Sequence, residues 1–377
     1  MPAASPASTR SPHPAAGGSW AAPRRSSSIP THRRRLCSPP ATACASSPST
    51  PPSDALRVLA PGLLTTVQDG GRAGLRRLGI PDGGAADPPA LRLANLLAGN
   101  PGDAAALEVT HAGPRLEVAA DEVRVAIGGD CAVEVEDAAG RLRPAPPWAS
   151  LTLHHGDQLR LGRVIAGLRC YLAVAGGFDV PRVLGSAATE LRGGWGGLAG
   201  RALRAGDLLP LSPARPGGGG EVAVDPPPWW RPGATVRAVP GPQDDHFTTA
   251  ALERLAAATW TVTPASDRTG LRLDGPELEH RGAAEIVSDG CVPGSVQVPG
   301  SRRPIVLLVD GGTTGGYPKI ATVASADTGA LGRLRPGATL RFELVDVAAA
   351  EALRRELEAW FAATAAAVAR QRSGAPS

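Results

Sequence analysis

Hydrophobic and polar residues alternate along most of the chain from Leu56 onward. The alternation is clearest over residues 122–125 (EVRV) and 158–161 (QLRL). Short alternating runs of this kind, separated by turns that contain glycine or aspartate, are typical of an all-β barrel or sandwich. We therefore expect a mainly β fold of short strands, in which residues 122–129 (EVRVAIGG) and 132–137 (AVEVED) are separate strands, as are residues 158–163 (QLRLGR) and 169–177 (RCYLAVAGG).

Three stretches depart from the alternation and predict helices. The first begins at Pro88 and Pro89 after Asp87, a plausible N-cap, and ends at Gly99. The second covers residues 248–258, and the third is an alanine-rich segment that begins at residue 347. The apolar stripe of the third helix predicts packing rather than a cofactor contact. That stripe consists of Leu353, Leu357, Trp360 and Phe361.

The stretch 304–324 predicts a buried strand at 305–309, a glycine-rich loop, and a second strand from Ile320. The loop carries Lys319, the single lysine in a chain whose lysine and arginine residues total 39. Lysine, unlike arginine, is a compact point charge whose pKa shifts readily on burial. One hypothesis is that this loop holds an anionic or polarised group of a substrate. The alternative is a tight hairpin whose lysine has no special role.

Composition divides the 377 residues into unequal parts. Residues 1–53 are rich in Ser, Pro, Ala and Arg and contain no Asp or Glu, so the formal charge of +4 is concentrated there. We expect a disordered tail at 1–53, a first β domain at 54–211 and a Pro/Gly-rich linker at 212–233. A second β domain at 234–346 and a C-terminal helix and tail at 347–377 complete this division. The near-neutral remainder argues against a nucleic-acid surface.

Several kinds of chemistry find no motif in the sequence. The single lysine follows Pro318, so there is no phosphate-binding P-loop, and Met1 is the single methionine, so no lysine lies between methionines as in a biotin carrier. No GxSxG, HExxH or EF-hand motif is present, and no run of apolar residues reaches transmembrane length. The five cysteines form no CxxC pair, so we expect isolated thiols and no metal site.

Polar residues in glycine-rich loops remain as candidates for a functional site. Individually, each could be a turn residue or part of a surface ion pair. Together they offer cations and amide donors for an anion, and carboxylates that could act as a base. We expect catalytic roles for Lys319, Asp310 and Asp267. We expect substrate binding by Asp69, Arg72, Arg268, Gln297, Thr313, Thr314 and Tyr317.

These residues lie in motifs that resemble one known family. The motifs, in order, are PGLLTTVQDGGR, GIPDGGAAD, LANLLAGNP, ALEVTHAGP, AGGFDVPRVLGS, GGWGGLAGRALRAGD, GPQDDHF, SDRTGLRLDG, GSVQVP, PIVLLVD and TTGGYPKIATV. The chain from Leu56 to about residue 345 resembles the biotin-dependent carboxyltransferase or allophanate hydrolase subunit 2 family. That family includes KipA-like proteins, the C subunit of 5-oxoprolinase and the carboxyltransferase region of urea carboxylase.

The resemblance implies a specific fold and specific partners. The fold would be two cyclophilin-like β-barrel domains with a few short helices and a C-terminal helix. One partner would be a first-subunit homologue, which is KipI-like and corresponds to the B subunit of 5-oxoprolinase. The other would be the LamB/YcsF-type A subunit. The implied location is the cytoplasm.

The resemblance also implies an activity that depends on a complex. We expect a subunit of an ATP-dependent 5-oxoprolinase, which converts 5-oxo-L-proline, ATP and water to L-glutamate, ADP and phosphate. ATP would act at the level of the complex, and no biotin would be attached to this chain. Two alternatives stay open. One is transfer of a carboxyl group from carboxybiotin to urea or a similar amide, and the other is a non-enzymatic regulatory protein of the KipA type.

Overall fold

The computed structural model describes residues 54–213, 220–230 and 234–374, and in these residues the fold is mainly β, as predicted. Nine strands form one sheet. They are β1 (Ala55–Ala60), β2 (Leu64–Gln68), β3 (Ala106–Thr110), β4 (Arg115–Val118), β5 (Glu122–Glu136), β6 (Leu142–Ala145), β7 (Ser150–His154), β8 (Gln158–Val174) and β9 (Leu208–Pro210).

The first sheet is built around two long strands. Its hydrogen-bonded order is β2-β3-β8-β4-β1-β9, and β5 branches from β8 to pair also with β6 and β7. The sequence pattern predicted two strands in each of the segments that form β5 and β8, and this was wrong. Register shifts near Gly128, Asp130 and Cys131 are bulges that bend β5 without ending it. One strand can therefore pair with β8 along almost its whole length.

A second sheet closes into a barrel in the order β10-β17-β14-β15-β12-β11-β18. Strands β10 and β18 close it in parallel, whereas the other neighbours run antiparallel. A short ribbon, β13 with β16, lies beside this barrel. The strands are β10 (Ala234–Pro240), β11 (Trp260–Val262), β12 (Gly270–Asp274), β13 (Asp289–Gly290), β14 (Ser295–Gln297), β15 (Ile305–Leu307), β16 (Thr314–Gly315), β17 (Lys319–Val323) and β18 (Thr339–Leu344).

The predicted helices are present, together with one that the sequence did not indicate. The helices are α1 (Pro88–Ala98), α2 (Thr249–Ala257), α3 (Thr328–Arg333) and α4 (Val347–Ser373). Asp87 caps α1 through the amide of Ala90, and Gly99 ends it with a left-handed φ of 89°. Helix α3 contains two glycines, which disfavour helix. Gly329 and Gly332 are required there because a Cβ would collide with Asp87, Pro89 or Ala86.

Helix α4 packs on α1 through few residues. Phe361 and Val368 are its buried residues, and Arg92 of α1 lies 4.1 Å from the Phe361 ring centroid. Arg372 donates hydrogen bonds to the carbonyls of Leu96 and Leu97, which end α1. None of the helices in the described residues combines the length and apolar character needed to span a lipid bilayer.

Strands β1–β9 fall within 54–211 and strands β10–β18 within 234–346, the two ranges that the sequence predicted as domains. Each sheet encloses its own hydrophobic core. A third core lies around α1 and includes Trp148, Trp230 and Phe361, so part of the predicted linker packs on the first sheet. The division into domains stays a prediction, and the predicted tail at 1–53 lies outside the described residues.

The barrel core depends on Trp260, a fully buried side chain of β11 whose Nε1 donates to the carbonyl of Leu255 at 3.1 Å. We expect Trp260→Ala to lower the free energy of unfolding by about 3–5 kcal/mol, because it leaves a cavity and an unpaired carbonyl. Thr261→Ala, at the exposed neighbouring position, is the control and should change stability by less than about 0.5 kcal/mol. Urea denaturation measures the free energy of unfolding of both variants. Equal losses in the two variants would contradict the role of Trp260 in the barrel core.

Candidate functional site

The two sheets meet at a buried arginine. Arg268 donates from Nη1 to Glu108 Oε1 at 2.6 Å, and from Nε and Nη2 to the two carboxylate oxygens of Asp310 at 2.7 and 2.9 Å. Its Nη2 also donates to the carbonyl of Gly84 at 2.7 Å. Glu108 lies in β3 of the first sheet, whereas Asp310 follows β15 of the barrel. One guanidinium therefore joins both sheets and the glycine-rich loop between β2 and α1.

Glu108 anchors the side of this junction that belongs to the first sheet. Its carboxylate accepts hydrogen bonds from Arg169 at 3.2 Å, from the Tyr171 hydroxyl at 2.7 Å and from the amide of Ala86 at 2.8 Å. Burial alone would raise the pKa of Glu108, but Arg268 and Arg169 outweigh it and hold that pKa below its usual range. The carboxyl is therefore ionised and fully engaged in contacts with the protein.

A second buried ion pair extends the junction. Arg333 donates to Asp87 Oδ2 at 2.8 Å, and the amide of Asp87 donates to the Tyr171 hydroxyl at 2.8 Å. Burial raises the pKa of Asp87 and also that of Asp310, although Arg333 and Arg268 respectively oppose the change. The junction pairs three carboxylates with three guanidinium groups. They are Asp87, Glu108 and Asp310 with Arg169, Arg268 and Arg333.

Asp69 and Arg72 hold a different segment, residues 183–188. Asp69 accepts from the Ser186 hydroxyl at 2.5 Å and from the amide of Ala187 at 2.6 Å. Arg72 donates to the carbonyls of Val183 and Ala188, and its guanidinium lies 4.2 Å from the Trp195 ring centroid. Burial lowers the pKa of Arg72, and its Nη1 has no hydrogen-bond partner among the described residues.

A cleft of about 260 Å³ lies between this loop and the barrel. Asp69, Asp82 and Gly83 form one side of it, and residues of the barrel loops, among them Pro293 and Gly294, form the other. Its volume is slightly below the range of about 300–1,000 Å³ that is typical of sites for drug-sized ligands. The cleft therefore suits a small molecule.

Lys319 lies in a polar cluster on the barrel. Its ammonium donates to Asp289 Oδ2 at 2.6 Å, and the same oxygen accepts from Gln243 Nε2 at 3.1 Å. Lys319 pairs across the strands with Gln297, whose Nε2 donates to the thiol sulfur of Cys291 at 3.4 Å. Lys319 is 3% exposed, whereas the Asp289 side chain is 52% exposed, so the cluster opens to solvent on the carboxylate side.

The positive charge of Lys319 lowers the pKa of its partner, Asp289. Hydrogen bonding to the Lys319 ammonium is the main reason why the pKa of Asp289 falls to about 2, and the Gly290 amide and Gln243 add to the effect. In the same cluster, burial raises the pKa of the Cys291 thiol. A protonated thiol and an ionised carboxylate therefore flank the lysine at neutral pH.

Of the remaining predicted site residues, Thr313, Thr314 and Tyr317 lie in the loop beside Lys319, whereas Asp267 does not. Thr313 and Thr314 lie at the ribbon beside Lys319, where the carbonyl of Thr313 accepts from the amide of Cys291, and Tyr317 is 39% exposed in the same loop. Asp267 is exposed, and its carboxylate accepts from the amides of Thr269 and Gly270 in its own turn. The structure does not place Asp267 with the others.

Arg76 connects the cleft to the Lys319 cluster. It donates to the carbonyl of Cys291 at 2.7 and 3.0 Å, to that of Gly312 at 3.0 Å and to Asp82 at 3.1 Å. Sequence reasoning missed Arg76, Glu108 and Asp289. Glu108 sits within an ordinary alternating strand pattern, and Asp289 resembles a surface turn residue. No signal in the sequence distinguishes Arg76 from its neighbour Arg77.

A larger groove of about 960 Å³ lies between α4 and the barrel, and Trp229, Leu357 and Trp360 are among its lining residues. None of the predicted site residues lines it. No three His, Cys, Asp or Glu side chains lie together as a metal site in the part of the chain that the structure describes. Cys131, Cys170 and Cys291 are free thiols, and Cys37 and Cys44 lie outside the described residues.

Comparison with known families gives one match across most of the fold. Residues 78–344 match the model of the carboxyltransferase domain, subdomain A and B. Among curated proteins, the chain is 39% identical over 308 residues to the C subunit of 5-oxoprolinase from Escherichia coli, a match that covers 81% of this chain and 96% of that one. It is 31% identical to urea amidolyase of Lachancea kluyveri, but the match covers only 18% of that protein.

Solved structures give the same picture of a shared fold within longer chains. A crystal structure of TTHA0988 superposes with a TM-score of 0.70 at 39% identity, over 78% of this chain and 57% of that chain. The urea amidolyase of K. lactis superposes with a TM-score of 0.73 at 30% identity, over 82% of this chain and 20% of that chain. The chain thus spans little more than half of TTHA0988 and a fifth of the amidolyase.

The junction at Arg268 generates a stability prediction. Arg268→Met leaves Asp310 buried without its guanidinium partner and leaves Glu108 with Arg169 alone, and we expect it to cost about 3–5 kcal/mol in free energy of unfolding. The double variant Arg268→Met/Asp310→Asn should recover part of this loss. Arg302→Met breaks an exposed pair with Glu277 and is the control, with an expected cost below about 1 kcal/mol. Urea denaturation that gave Arg268→Met and Arg302→Met equal costs would contradict the assigned role.

The Lys319 cluster generates a titration prediction. The pKa of Asp289 is depressed in the folded state, so the pair stabilises the fold above the unfolded value of about 4 and loses this effect as pH falls through about 2. In an NMR titration of side-chain carboxyl carbons, Lys319→Met should move this pKa back towards about 4. Gln243→Leu should move it less, and the reverse order would contradict the dominant role of Lys319.

Proposed function

Because the chain belongs to the family of carboxyltransferase domains with subdomains A and B, we propose that it is a subunit of an ATP-dependent 5-oxoprolinase. The observation that carries the proposal is the match to the 5-oxoprolinase C subunit of Escherichia coli, which covers 96% of that protein at 39% identity. A second relative of the same name, from Haemophilus influenzae, is 38% identical, and 92% of its length is covered.

The geometry supports chemistry on a small amide. Opening the 5-oxoproline ring places negative charge on the lactam oxygen, and a fixed cation with its donors directed at that oxygen lowers the barrier. Lys319 supplies such a cation. One of its three N–H groups is used by Asp289, which leaves two for a substrate oxygen. We propose that Lys319 binds this oxygen and that Gln297, Thr313, Thr314 and Tyr317 surround the substrate.

We propose structural roles for several other candidates. Arg268 and Asp310 form a bidentate ion pair, and Arg268 also binds Glu108. Both residues therefore position the loops and do not transfer a proton in the reaction. Asp69 accepts hydrogen bonds from Ser186 and Ala187 and fixes the loop beside the cleft. Arg72 Nη1 has no hydrogen-bond partner among the described residues, and Arg72 stays a proposed substrate contact. We assign Asp267 no chemical step.

The residues that the structure describes do not form an ATP site of the P-loop type. A P-loop lysine lies at a glycine-rich turn before a helix, whereas Lys319 lies in strand β17 with its ammonium on Asp289. We therefore derive no step through ATP and propose that a partner protein of the complex binds it. The proposed partners are a KipI-like protein, the B subunit of the complex, and a LamB/YcsF-type protein, its A subunit. The proposed location of the complex is the cytoplasm.

Carboxyl transfer to urea is the second candidate. It is favoured by the structural match to urea amidolyase of K. lactis at a TM-score of 0.73. The identity of that match is 30%, however, and the chain spans only 20% of the amidolyase. The better coverage and identity of the 5-oxoprolinase relatives make the lactam the preferred substrate.

Reconstitution of the complex tests the proposal. The chain, copurified with its KipI-like and LamB/YcsF-type partners, should release L-glutamate from 5-oxo-L-proline in an ATP-dependent manner. Lys319→Ala should lower kcat by about 10²–10³-fold, the usual cost of removing a donor to a developing oxyanion. Arg355→Met removes an exposed cation from α4 and is the matched control, which should keep full activity.

The 5-oxoprolinase function and the role of Lys319 can be contradicted independently of each other. Absence of glutamate release from a fully assembled wild-type complex removes the 5-oxoprolinase function. Full activity of Lys319→Ala in an active complex removes only the role of Lys319. If urea and carboxybiotin are consumed instead, the second candidate replaces the first.

A further inference from the structure

The side chain of Arg76 connects the turn between Gly74 and Gly79 to the barrel. Both glycines have left-handed backbones, with φ of 83° and 79°, and a Cβ on either would meet no described atom within 4 Å. Of the four residues between them, Arg77 and Leu78 are exposed, and Leu75 and Arg76 are half-buried. Permissive glycines at both ends of the turn can absorb a change in its backbone direction.

Arg76 makes the contacts that hold this turn in place. Its Nε and Nη2 both donate to the carbonyl of Cys291, its Nη2 also donates to the carbonyl of Gly312, and its Nη1 donates to Asp82. Two of these partners, Cys291 and Gly312, belong to the barrel and lie 215 and 236 residues from Arg76 along the chain. Hydrogen bonds from a charged donor are stronger than neutral ones, so these contacts are the main restraint on the turn.

The turn also borders the cleft, because Ala73 and Asp82, which lie on either side of the turn along the chain, both line the cleft. Asp82 lines one side of the cleft, and Pro293 and Gly294, which follow Cys291 closely, line the other. The guanidinium therefore bonds to Asp82 of one wall and to Cys291, which adjoins the other wall and belongs to the Lys319 cluster. Cys291 is 3% exposed, and the charge of Arg76 opposes the rise in the pKa of its thiol that burial causes, so the guanidinium lies near the thiol.

We infer that Arg76 is a positioning residue that latches the turn 74–79 at the border of the cleft, and that release of Arg76 opens the cleft to small molecules. Arg77 lies in the same short turn and is exposed, but it shares none of these contacts. The inference rests on the proposed function only for the identity of the substrate that the latch retains. The movement itself can be tested without any activity.

The Cys291 thiol reports the latch directly. The full-length protein is treated with N-ethylmaleimide, and the labelling rate of each cysteine is followed by peptide mass spectrometry. We expect Arg76→Met to raise the rate at Cys291 at least tenfold, because the turn and the Cys291 segment are no longer joined and the buried thiol becomes accessible, and Arg76→Lys to give a smaller rise. Arg77→Met, the matched control in the same turn, should label as wild type.

Cys131 and Cys170 serve as an internal control for global unfolding, because both are buried in the core of the first sheet. Their labelling should stay unchanged in Arg76→Met. The inference is overturned if Cys291 labels no faster in Arg76→Met than in wild type, or if Arg77→Met matches it. A parallel rise at Cys131 and Cys170 also overturns it, since that means loss of the fold.

Kinetics of the reconstituted complex supply a second readout. A latch that retains substrate predicts that Arg76→Met raises KM by about tenfold while kcat changes less, because the substrate escapes more easily. A merely structural role would lower kcat with the folded fraction and leave KM unchanged. If the complex has no 5-oxoprolinase activity, the thiol labelling still decides the inference, so the two failures are distinguishable.

Discussion

The arrangement of the two sheets depends on the buried contacts of Arg268. Its guanidinium is tied to Glu108 in the first sheet, to Asp310 in the barrel and to the carbonyl of Gly84 in the loop between them. Removing such charges from water costs several kcal/mol each, which their mutual attraction repays only when the geometry is close to ideal. The net stability gained is therefore small. What the pairs provide is one relative placement of the two sheets, because any other would leave charges buried and unpaired.

This placement sets the position of the candidate site. The loop between β2 and α1 carries Asp69, Arg72, Arg76 and Asp82 and is fixed at one end by the Gly84 carbonyl and the Ala86 amide. The barrel contributes Lys319, Asp289 and the segment after Cys291. The cleft lies between groups from two sheets, so its shape depends on the junction that holds these sheets together. The buried ion pairs therefore set the geometry of the candidate site without contacting a substrate.

The sequence predicted the mainly β class and the caps of α1 correctly, because period-two alternation and the Asp-Pro-Pro start are local signals. It failed where distant contacts decide. The bulges that keep β5 and β8 continuous depend on their pairing with each other. Likewise, Gly329 and Gly332 lie in a helix because α3 packs closely on residues 86–89. In the site, Lys319 was detectable by composition, but its partner Asp289 lies 30 residues away and becomes visible only when β13 pairs with β16.

Hydrogen bonding also distinguishes charged groups that hold the fold together from a charged group that keeps unused donors. Arg268 and Asp310 were predicted as site residues because they lie in polar glycine-rich loops, and in the structure Arg268 donates to both oxygens of Asp310 and to Glu108. Lys319 differs because a lysine ammonium has three donors and Asp289 takes one. An arginine there would need room for a planar fork in a position that is 3% exposed. A compact head group with donors to spare explains, in physical terms, why a chain so rich in arginine has a lysine at this strand.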